Sequence, residues 1–401
     1  MTRTELLEII AARENSRVEF KRDDVAPEKV AKECVALLNL KGGYVLLGVE
    51  DNGDISGITR NSDECQIWVM DTVFGRFVHP LVIPTYEEVV TDNGRVAVIS
   101  LDQGISKPYS LKINDRFDTY VRIGNISRLA THEQKLRLMQ EGGLLHIETL
   151  PVNGTSLNEL DQEKFTWYYQ KFYNENVPDQ ELGELLTRLD FAVKKDDRIV
   201  LTIAGLILFG NSPAIKLRQS GFRLIAYPGS EPDINSTFDE GIDGSIVSVR
   251  RNGTIVKSGL IETTLDRLQI LISEEKLNEN GINRERVWIY PKEVLREIIV
   301  NAVAHRDWTK FTQNKIEIFD NRIEITSAGS IPNNQTLEKI LAGVQYSRNQ
   351  ILSRVLRDIG EMEERGMGLR RKVVPILKKE GYPDPQWEPT EDYFKIILYR
   401  K

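Results

Sequence analysis

The sequence predicts a mixed α/β (α+β) chain built from three domains. Its 401 residues exceed the length of about 250–300 residues at which single hydrophobic cores stop growing. Its composition, 40% hydrophobic and 28% charged, is that of an ordinary globular protein. Segments with helical apolar spacing alternate along the chain with short strand-like runs. The Gly142-Gly143 pair and Pro291 mark the breaks, so we predict domains at 1–143, 144–290 and 291–401.

The first segment has the pattern of a mixed sheet covered by helices. Tyr44–Val49 is a continuous apolar run, which is typical of a strand buried on both faces. The preceding Gly42-Gly43 favours the end of a helix over a phosphate-binding turn. Asp51–Asp54 has the composition of a tight turn. The other predicted elements are a helical pattern at Leu6–Ile10, strands at Ser16–Lys21, Arg95–Ser100 and Thr119–Ile123, and helices at Ala31–Leu40 and Glu133–Met139.

The two later segments also mix helices and strands. The predicted helix Glu159–Tyr173 carries an aromatic face, which could stack on nucleobases but which we interpret as core. The apolar stretch Ile199–Phe209, interrupted by Thr202 and Gly205, predicts a buried element, and a proline at the first helical position favours a helix from Pro291 to about His305. Further helices are predicted at Glu181–Leu189, Leu260–Ser273, Gln350–Asp358 and Leu369–Lys379, and strands at Phe222–Tyr227, within Gly241–Gly259, and at Lys315–Phe319, Arg322–Thr326 and Tyr393–Tyr399.

The net charge of −7 does not by itself indicate a nucleic-acid-binding protein. Phosphate binding needs only a local basic face, however. Five cationic residues within a 22-residue stretch could form such a face or could belong to a solvated strand surface. They are Lys107, Lys112, Arg116, Arg122 and Arg128.

Composition also limits the compartment and the redox chemistry. No run approaches the roughly 20 apolar residues that span a bilayer, and acids occupy the place of a signal peptide's apolar core. The two cysteines, Cys34 and Cys65, predict packing residues and exclude a disulfide framework or a zinc motif. We therefore expect a cytoplasmic protein without a membrane partner.

Three acidic residues lie near predicted strands of the first segment. Glu14 precedes the strand that contains Glu19, and Asp51 follows the apolar strand. Carboxylates at strand ends can hold divalent ions, which stabilise charge on phosphorus and activate water. Lys21 could then neutralise the phosphate. The other interpretation, favoured by spacing alone, is that Glu14 and Glu19 are solvated surface acids and Asp51 only forms a turn.

The surrounding motifs resemble the Schlafen AlbA-like domain family. They are Glu14–Lys21, Asn39–Gly53, Ile55–Gly57, Ser106–Tyr109 and Thr119–Gly124. The resemblance implies a nucleic-acid-binding mixed-sheet domain. It further implies that Glu14, Glu19 and Asp51 match an acidic triad that, in the nuclease members, cleaves RNA with a divalent metal, Mg²⁺ or Mn²⁺. Many other members of the family are DNA-binding or regulatory.

The helix predicted after Pro291 carries a second group of candidates. Glu297, Asn301 and His305 are spaced by four residues and share one helix face. An Asn amide oxygen can ligate the magnesium that bridges ATP phosphates, and a Glu can orient or deprotonate water. Gly366 and Gly368 precede another predicted helix, whose N-terminus could approach phosphate, although two glycines usually form only a loop.

These motifs resemble the GHKL class of ATP-binding domains, in the divergent form found beside Schlafen AlbA-like domains. The matching stretches are Leu201–Gly210, Tyr290–Asp307 and Glu364–Gly368. The resemblance implies an α/β sandwich with Glu297 as general base, Asn301 as magnesium ligand and ATP as cofactor, and it extends the nucleotide site to His305, Gly329, Gly366 and Gly368. GHKL domains usually carry an adenine-reading Asp in a glycine-rich box. The corresponding Ile325–Ser330 has none, so another nucleotide could bind or the pocket could only pack.

Together these patterns predict a metal-dependent nuclease, with RNA favoured over DNA, that is regulated by ATP or another nucleotide. The alternatives are a non-catalytic, nucleotide-responsive DNA-binding regulator and an assembly subunit with two vestigial sites. The sequence contains no Gly-Lys dipeptide, which excludes the P-loop lysine motif of helicases. By resemblance, we expect a homo-oligomer that acts in bacterial defence or stress.

Overall fold

The computed structural model describes residues 1–178, 181–277, 284–331, 337–341, 347–362, 369–390 and 392–401. The chain forms two compact units, Met1–Leu145 and His146–Lys401. Both units contain helices and mixed sheets, which confirms the predicted α+β class. The boundary between them lies close to the one predicted at 143/144.

The first unit runs from α1 to α5. Its helices are α1 (Arg3–Ala11), α2 (Pro27–Asn39), α3 (Ser62–Ile67), α4 (Gly75–Phe77) and α5 (His132–Glu141), with a π-helical turn at Trp68–Phe74. Its strands are β1 (Val18–Lys21), β2 (Gly43–Leu47), β3 (Val78–His79), β4 (Thr85–Thr91), β5 (Gly94–Leu101), β6 (Ser110–Ile113), β7 (Arg116–Asp118), β8 (Tyr120–Ile123) and β9 (Ile126–Leu129).

The main sheet of the first unit has the strand order β1-β2-β5-β4. β1 and β2 are parallel, and the other neighbours are antiparallel. Because successive side chains of a strand point to opposite faces, Val45 and Leu47 pack in the cluster that contains α2, whereas Leu46 packs with Leu6 and Ile10 of α1. This two-sided burial explains the continuous apolar run and confirms the prediction for it.

The β8–β9 hairpin of the first unit has one inward and one outward face. Arg122 pairs with Ser127, and Val121 pairs with Arg128. Arg122 and Ser127 are buried, whereas Arg128 is exposed. The alternation of the strands therefore places one of the two arginines in the interior of the unit and the other at its surface.

The second unit contains the remaining elements. Its helices are α6 (Gln162–Tyr173), α7 (Leu182–Arg188), α8 (Ile203–Phe209), α9 (Leu260–Leu271), α10 (Lys292–Ala304), α11 (Leu337–Leu341), α12 (Gln350–Asp358) and α13 (Val374–Lys379); α13 follows a π-helical turn at Leu369–Val373. Its strands are β10 (Ala192–Lys195), β11 (Arg198–Leu201), β12 (Phe222–Ala226), β13 (Phe238–Ile242), β14 (Val249–Arg251), β15 (Thr254–Lys257), β16 (Ser273–Leu277), β17 (Arg284–Trp288), β18 (Asn314–Ile318), β19 (Arg322–Ala328), β20 (Gln386–Pro389) and β21 (Tyr393–Tyr399).

A six-stranded sheet organises the second unit, with the strand order β13-β12-β18-β19-β21-β20. β12 and β18 are parallel, and the other neighbours are antiparallel. Strands from both sides of the division predicted near residue 290 therefore belong to one sheet. Helix α10 contacts β19 of this sheet and also packs against α9 and α12.

The apolar stretch Ile199–Phe209 is largely buried, as predicted, and it forms two elements, strand β11 and helix α8. Thr202 ends strand β11 and caps helix α8, because its side chain accepts a hydrogen bond from the Gly205 amide. Polar N-cap residues start helices in this way. A Cβ at Gly205 would clash with the Phe191 carbonyl oxygen, so this helical position requires glycine.

Three of the five aromatic residues on the predicted face of α6 belong to the core, as predicted, whereas Phe172 is half-buried and Tyr173 is 38% exposed. Phe165, Tyr168 and Tyr169 are buried, and the Phe165 ring lies 5.3 Å from that of Phe209, edge to face. Such pairs stabilise a core beyond the area that they bury. Stacking of these three rings on nucleobases is not compatible with their burial.

Candidate nucleic-acid and nucleotide sites

Glu19 lies in the middle of β1 and is only 6% exposed. Its Oε1 contacts the Lys21 ammonium, and its Oε2 lies 2.6 Å from Nη2 of Arg122. Glu19 and Lys21 are two residues apart in a strand and therefore share a face. Burial raises the pKa of Glu19 in spite of these two cations. Both carboxylate oxygens are thus engaged by charged side chains.

Arg122 is the centre of this buried ionic network. Its Nη1 donates to Oε2 of Glu33 over 2.9 Å, and its Nη2 donates to the carbonyl oxygens of Asn15 (2.9 Å) and Val18 (3.1 Å). The buried part of the network contains two carboxylates, Glu19 and Glu33, and two cations, Lys21 and Arg122, and the more exposed Lys32 lies 3.6 Å from Glu33 at its edge. Each buried carboxylate therefore has a positive partner, as burial of charged groups requires.

Glu14 and Asp51 occupy different surroundings. Oε1 of the half-buried Glu14 accepts the Phe20 amide over 2.9 Å, which fixes Glu14 beside β1. Asp51 is exposed in the turn after β2. In the same turn, a Cβ added at Gly53 would lie 2.6 Å from Nη1 of Arg13. Glu19 and Lys21 therefore lie on β1 and Glu14 lies beside it, whereas Asp51 lies in the turn that follows the neighbouring strand β2.

The donor chemistry of Glu14, Glu19 and Asp51 suits a hard divalent cation. Glu14 and Glu19, however, already accept hydrogen bonds or ion pairs from protein groups. Across the described ranges, no group of three or more His, Cys, Asp or Glu side chains is arranged to hold a metal ion. The metal site around these residues stays a prediction.

The five cationic residues between 107 and 128 do not share one exposed face. Lys107 is 1% exposed and donates to Glu141 over 2.9 Å, and burial lowers its pKa. Arg122 is buried as well. Lys112, Arg116 and Arg128 are exposed. Neither a basic face nor a solvated strand surface describes Lys107 and Arg122, because these side chains neutralise carboxylates inside the unit.

In the second unit, α10 places Glu297 and Asn301 together. Glu297 is 8% exposed, and its Oε2 lies 3.5 Å from the Lys372 ammonium. Nδ2 of Asn301 donates to both the carbonyl oxygen (2.7 Å) and Oε1 (3.0 Å) of Glu297. These bonds hold the amide nitrogen on the helix, so the amide oxygen of the half-exposed Asn301 is the end that remains for a ligand.

His305 and Gly329 lie near the C-terminal end of α10. Burial and the positive charge of Arg348 lower the pKa of His305 to about 4, so the ring is neutral at pH 7. Gly329 follows β19 with φ of +109°, where a Cβ would clash with that of Asp307 and lie 2.6 Å from Nη1 of Arg348. The amide of Asp307 donates to the Ala328 carbonyl oxygen over 2.8 Å. Gly329 therefore permits a close packing of β19 on Asp307.

Gly366 and Gly368, the other two predicted phosphate-site glycines, lie outside the described residues. Sequence reasoning missed Arg348, which lies 3.5 Å from the fully buried carboxylate of Asp307. Arg348 precedes α12 and donates to the Ser330 carbonyl oxygen over 2.9 Å. This hydrogen bond joins the segment before α12 to the loop that contains Gly329. No pattern in the sequence connects Arg348 to this loop, whereas Asp307 is the last residue of the matching stretch Tyr290–Asp307.

Two other predictions concern the membrane and the cysteines. Among the described helices, none is long and apolar enough to span a membrane. Cys34 and Cys65 are both buried and unpaired with each other, and burial raises the pKa of each thiol. Their prediction as packing residues is confirmed.

Three segments of the chain match known family models. Residues 14–131 match the model "Schlafen, AlbA_2", and this segment includes Glu14, Glu19, Lys21 and Asp51. Residues 312–398 match an ATPase-type model described as "Putative ATP-dependent DNA helicase recG C-terminal". That match contains Gly329 but begins after Glu297, Asn301 and His305. Residues 145–225 match a domain of unknown function. The matches confirm both resemblances and indicate nucleic-acid-binding and ATPase-type functions.

Two solved structures are similar to the chain. One is the crystal structure of a protein from Corynebacterium diphtheriae. The match covers 99% of this chain and 69% of the other chain, with 18% identity and a TM-score of 0.43. The solution structure of the N-terminal domain of a "Putative ATP-dependent DNA Helicase RecG-related Protein" from Nitrosomonas europaea covers 33% of this chain and 93% of its own, with 22% identity and a TM-score of 0.26. Both TM-scores are too low to support a functional argument. No curated protein matches the chain significantly.

Proposed function

We propose that this protein binds nucleic acid through its first unit and ATP with magnesium through its second unit, and that the first unit cleaves RNA in preference to DNA. The matches of residues 14–131 and 312–398 support the two binding functions. The observation that carries the nucleotide function is the bonding of Asn301 to Glu297 on α10. The proposed cleavage rests on Glu14, Glu19, Lys21 and Asp51, which all lie within the first matched segment.

The nucleotide function follows from the orientation of two side chains. Because Nδ2 of Asn301 is bonded to Glu297, its amide oxygen is the available ligand, and amide oxygens suit magnesium. Oε1 of Glu297 is held by Asn301 while Oε2 faces Lys372 at 3.5 Å. A carboxylate held in this way beside a phosphate could orient a water molecule. The neutral ring of His305 adds no positive charge to such a site.

The proposed cleavage uses carboxylates and one lysine of the first unit. A divalent ion, when bound, would stabilise charge on phosphorus and activate water. Glu14, Glu19 and Asp51 are the residues that would hold it, and Lys21 would neutralise the phosphate. Since Lys21 now contacts Glu19, binding of the ion and pairing of these two residues compete for the same carboxylate.

The variant Asp51→Asn tests cleavage without disturbing the buried network, because Asp51 is exposed. We expect the wild type to cleave structured or single-stranded RNA with Mn²⁺ or Mg²⁺. Asp51→Asn should lower the rate at least about 10-fold, which is the lower range of effects at metal sites. The matched control is Asp54→Asn, an exposed carboxylate of the same turn, which should keep the wild-type rate. The measurement is the initial rate of cleavage of labelled RNA and DNA.

Equal residual cleavage by the wild type, Glu14→Ala, Glu19→Ala and Asp51→Asn would contradict the nuclease proposal. It would favour the second candidate, a non-catalytic nucleotide-responsive DNA-binding regulator. One observation supports that candidate: the ion pairs of Glu19 with Lys21 and Arg122 already balance its charge without a metal. Binding of DNA without cleavage, with an affinity that changes on addition of ATP, is its expected result.

Nucleotide binding has its own test. We expect ATP with magnesium at about 100-fold excess over Kd to stabilise the wild type by about 2.7 kcal/mol against unfolding. Asn301→Ala should lose most of this stabilisation, and because Asn301 is partly exposed and bonds to its own helix, the unliganded fold should survive. Thermal unfolding with ATP, GTP and no nucleotide measures the effect. An equal shift in Asn301→Ala, or no shift with either nucleotide, would contradict the assignment of this site.

A further inference from the structure

Arg306 has an unusual environment for an arginine. Its side chain is among the largest that are fully buried, with 2% of the residue exposed. Nη1 donates to Oδ1 of Asn314 over 3.1 Å, and Nη2 donates to the carbonyl oxygens of Lys310 (2.8 Å) and Thr312 (2.6 Å). Nε has no hydrogen-bond partner. All three acceptors are neutral groups, and the carboxylate that attracts this guanidinium, that of the adjacent Asp307, is not among them.

Trp308 provides a second N–H group without a partner in the same place. The residue is 5% exposed, its ring lies 5.0 Å from Cζ of Arg306, and its Nε1 has no acceptor. Both residues line one small pocket, together with Asn314, the apolar side chains of Ile207, Leu260 and Val303, and two glycines. The space has room for about one water-sized group.

Arg306 carries the charge among the side chains that line the pocket. The buried carboxylate of Asp307 attracts this guanidinium, and it also lies 3.5 Å from the guanidinium of Arg348. Its negative charge is thus shared between two arginines, and the charge of Arg306 is only partly compensated. Burial of an uncompensated charge is costly, so a group that enters the pocket is favoured if it is negative.

The hydrogen-bond inventory also distinguishes an anion from water. Oδ1 of Asn314 already accepts two hydrogen bonds, from Arg306 and from the amide of Ala328 over 3.0 Å. The other lining side chains are apolar or are donors. A water molecule would also need acceptors for its two hydrogens, which main-chain carbonyl oxygens would have to supply, whereas a monoatomic anion only accepts. Both N–H groups, of Arg306 and Trp308, could donate to it.

We propose that this pocket binds one small inorganic anion of the size of chloride, held by Nε of Arg306 and Nε1 of Trp308. The anion neutralises the excess positive charge near the end of α10 and so stabilises the second unit. Val303, which lines the pocket, lies two residues after Asn301 in the same helix. The site is distinct from the proposed nucleotide and nucleic-acid functions, and its test needs neither ligand.

The test compares thermal unfolding of the full chain in sodium chloride, sodium bromide and sodium gluconate at equal concentration. Gluconate is too large for a pocket with room for about one water-sized group. We expect chloride and bromide to raise the melting temperature of the second unit by about 2–4 °C relative to gluconate. Trp308→Phe, which keeps an aromatic six-membered ring and removes the N–H, should lose about half of this shift or more. The matched control Trp387→Phe, on strand β20 of the same unit, should keep it.

A bromide-soaked crystal of the wild type gives a second measurement that does not depend on folding of a variant. An anomalous peak within hydrogen-bond distance of Nε of Arg306 and Nε1 of Trp308 is expected. An ordered water at this position without anomalous signal would overturn the proposal. Identical melting temperatures in the three salts, or equal shifts in the wild type and Trp308→Phe, would overturn it as well.

Discussion

Replacement of Arg122 by methionine is expected to lower the free energy of unfolding of the first unit by about 3–5 kcal/mol. Methionine keeps much of the side-chain length and removes the charge and all five N–H donors. Glu19 and Glu33 then lose ion pairs of 2.6 and 2.9 Å and stay inside as carboxylates without a counter-charge from Arg122. The carbonyl oxygens of Asn15 and Val18 each lose the hydrogen bond from Arg122 as well. Removal of one partner of a buried pair is costly because the other charge remains buried.

The measurement is urea unfolding, followed by hydrogen–deuterium exchange of peptides within residues 1–145. The matched control is Arg128→Met, since Arg128 lies on the same hairpin and is exposed. An exposed substitution of this kind changes the free energy of unfolding by less than about 0.5 kcal/mol. Equal losses in the two variants would contradict the structural role assigned to Arg122.

A rescue experiment separates the charge effect from packing. Adding Glu19→Gln and Glu33→Gln to Arg122→Met removes both buried carboxylates, and an uncharged amide costs less to bury than a carboxylate. The triple variant should therefore be more stable than Arg122→Met alone. If the triple variant is no more stable than Arg122→Met, lost packing and lost hydrogen bonds to Asn15 and Val18, rather than the uncompensated carboxylates, account for the destabilisation by Arg122→Met.

The sequence pattern alone predicted the position of a residue correctly where that position depends only on the helix or strand to which the residue belongs. The two-sided burial of β2 follows from its apolar run, and the shared face of Glu297 and Asn301 follows from their spacing of four in α10. The start of α8 after Thr202 could also have been predicted, because threonine is a preferred N-cap residue and Thr202 directly precedes an apolar run.

The sequence pattern could not predict burial or packing that depends on contacts with other elements. A lysine and an arginine between residues 107 and 128 have the composition of a surface, and only their pairing with Glu141, Glu19 and Glu33 explains the burial of Lys107 and Arg122. The packing of Gly329 against Asp307 and Arg348 joins residues that are far apart in the sequence. An interior partner on another element leaves no periodic signal in a single sequence, so these contacts required the structure.

The second large effect is expected for Gly329→Ala. The backbone of Gly329 has φ of +109°, which an L side chain rarely adopts, and its new Cβ would clash with that of Asp307 and lie 2.6 Å from Nη1 of Arg348. Strained backbone costs about 1–2 kcal/mol and overpacking about 1–3 kcal/mol. The second unit should therefore lose about 2–5 kcal/mol, because Asp307 is fully buried and has little room to move.

Gly360→Ala is the matched control for this prediction. Gly360 also has a positive φ, of +76°, but nothing lies within 4 Å of its Cβ position, so only the backbone cost of about 1–2 kcal/mol is expected. Chemical unfolding with and without ATP measures both effects. If Gly329 only serves packing, Gly329→Ala lowers stability while the stabilisation by ATP persists in the folded fraction. If the Gly329 loop contacts the nucleotide, that stabilisation falls as well, whereas Gly360→Ala keeps it. Equal stability of the two alanine variants would show that the contacts of Gly329 with Asp307 and Arg348 do not constrain the loop.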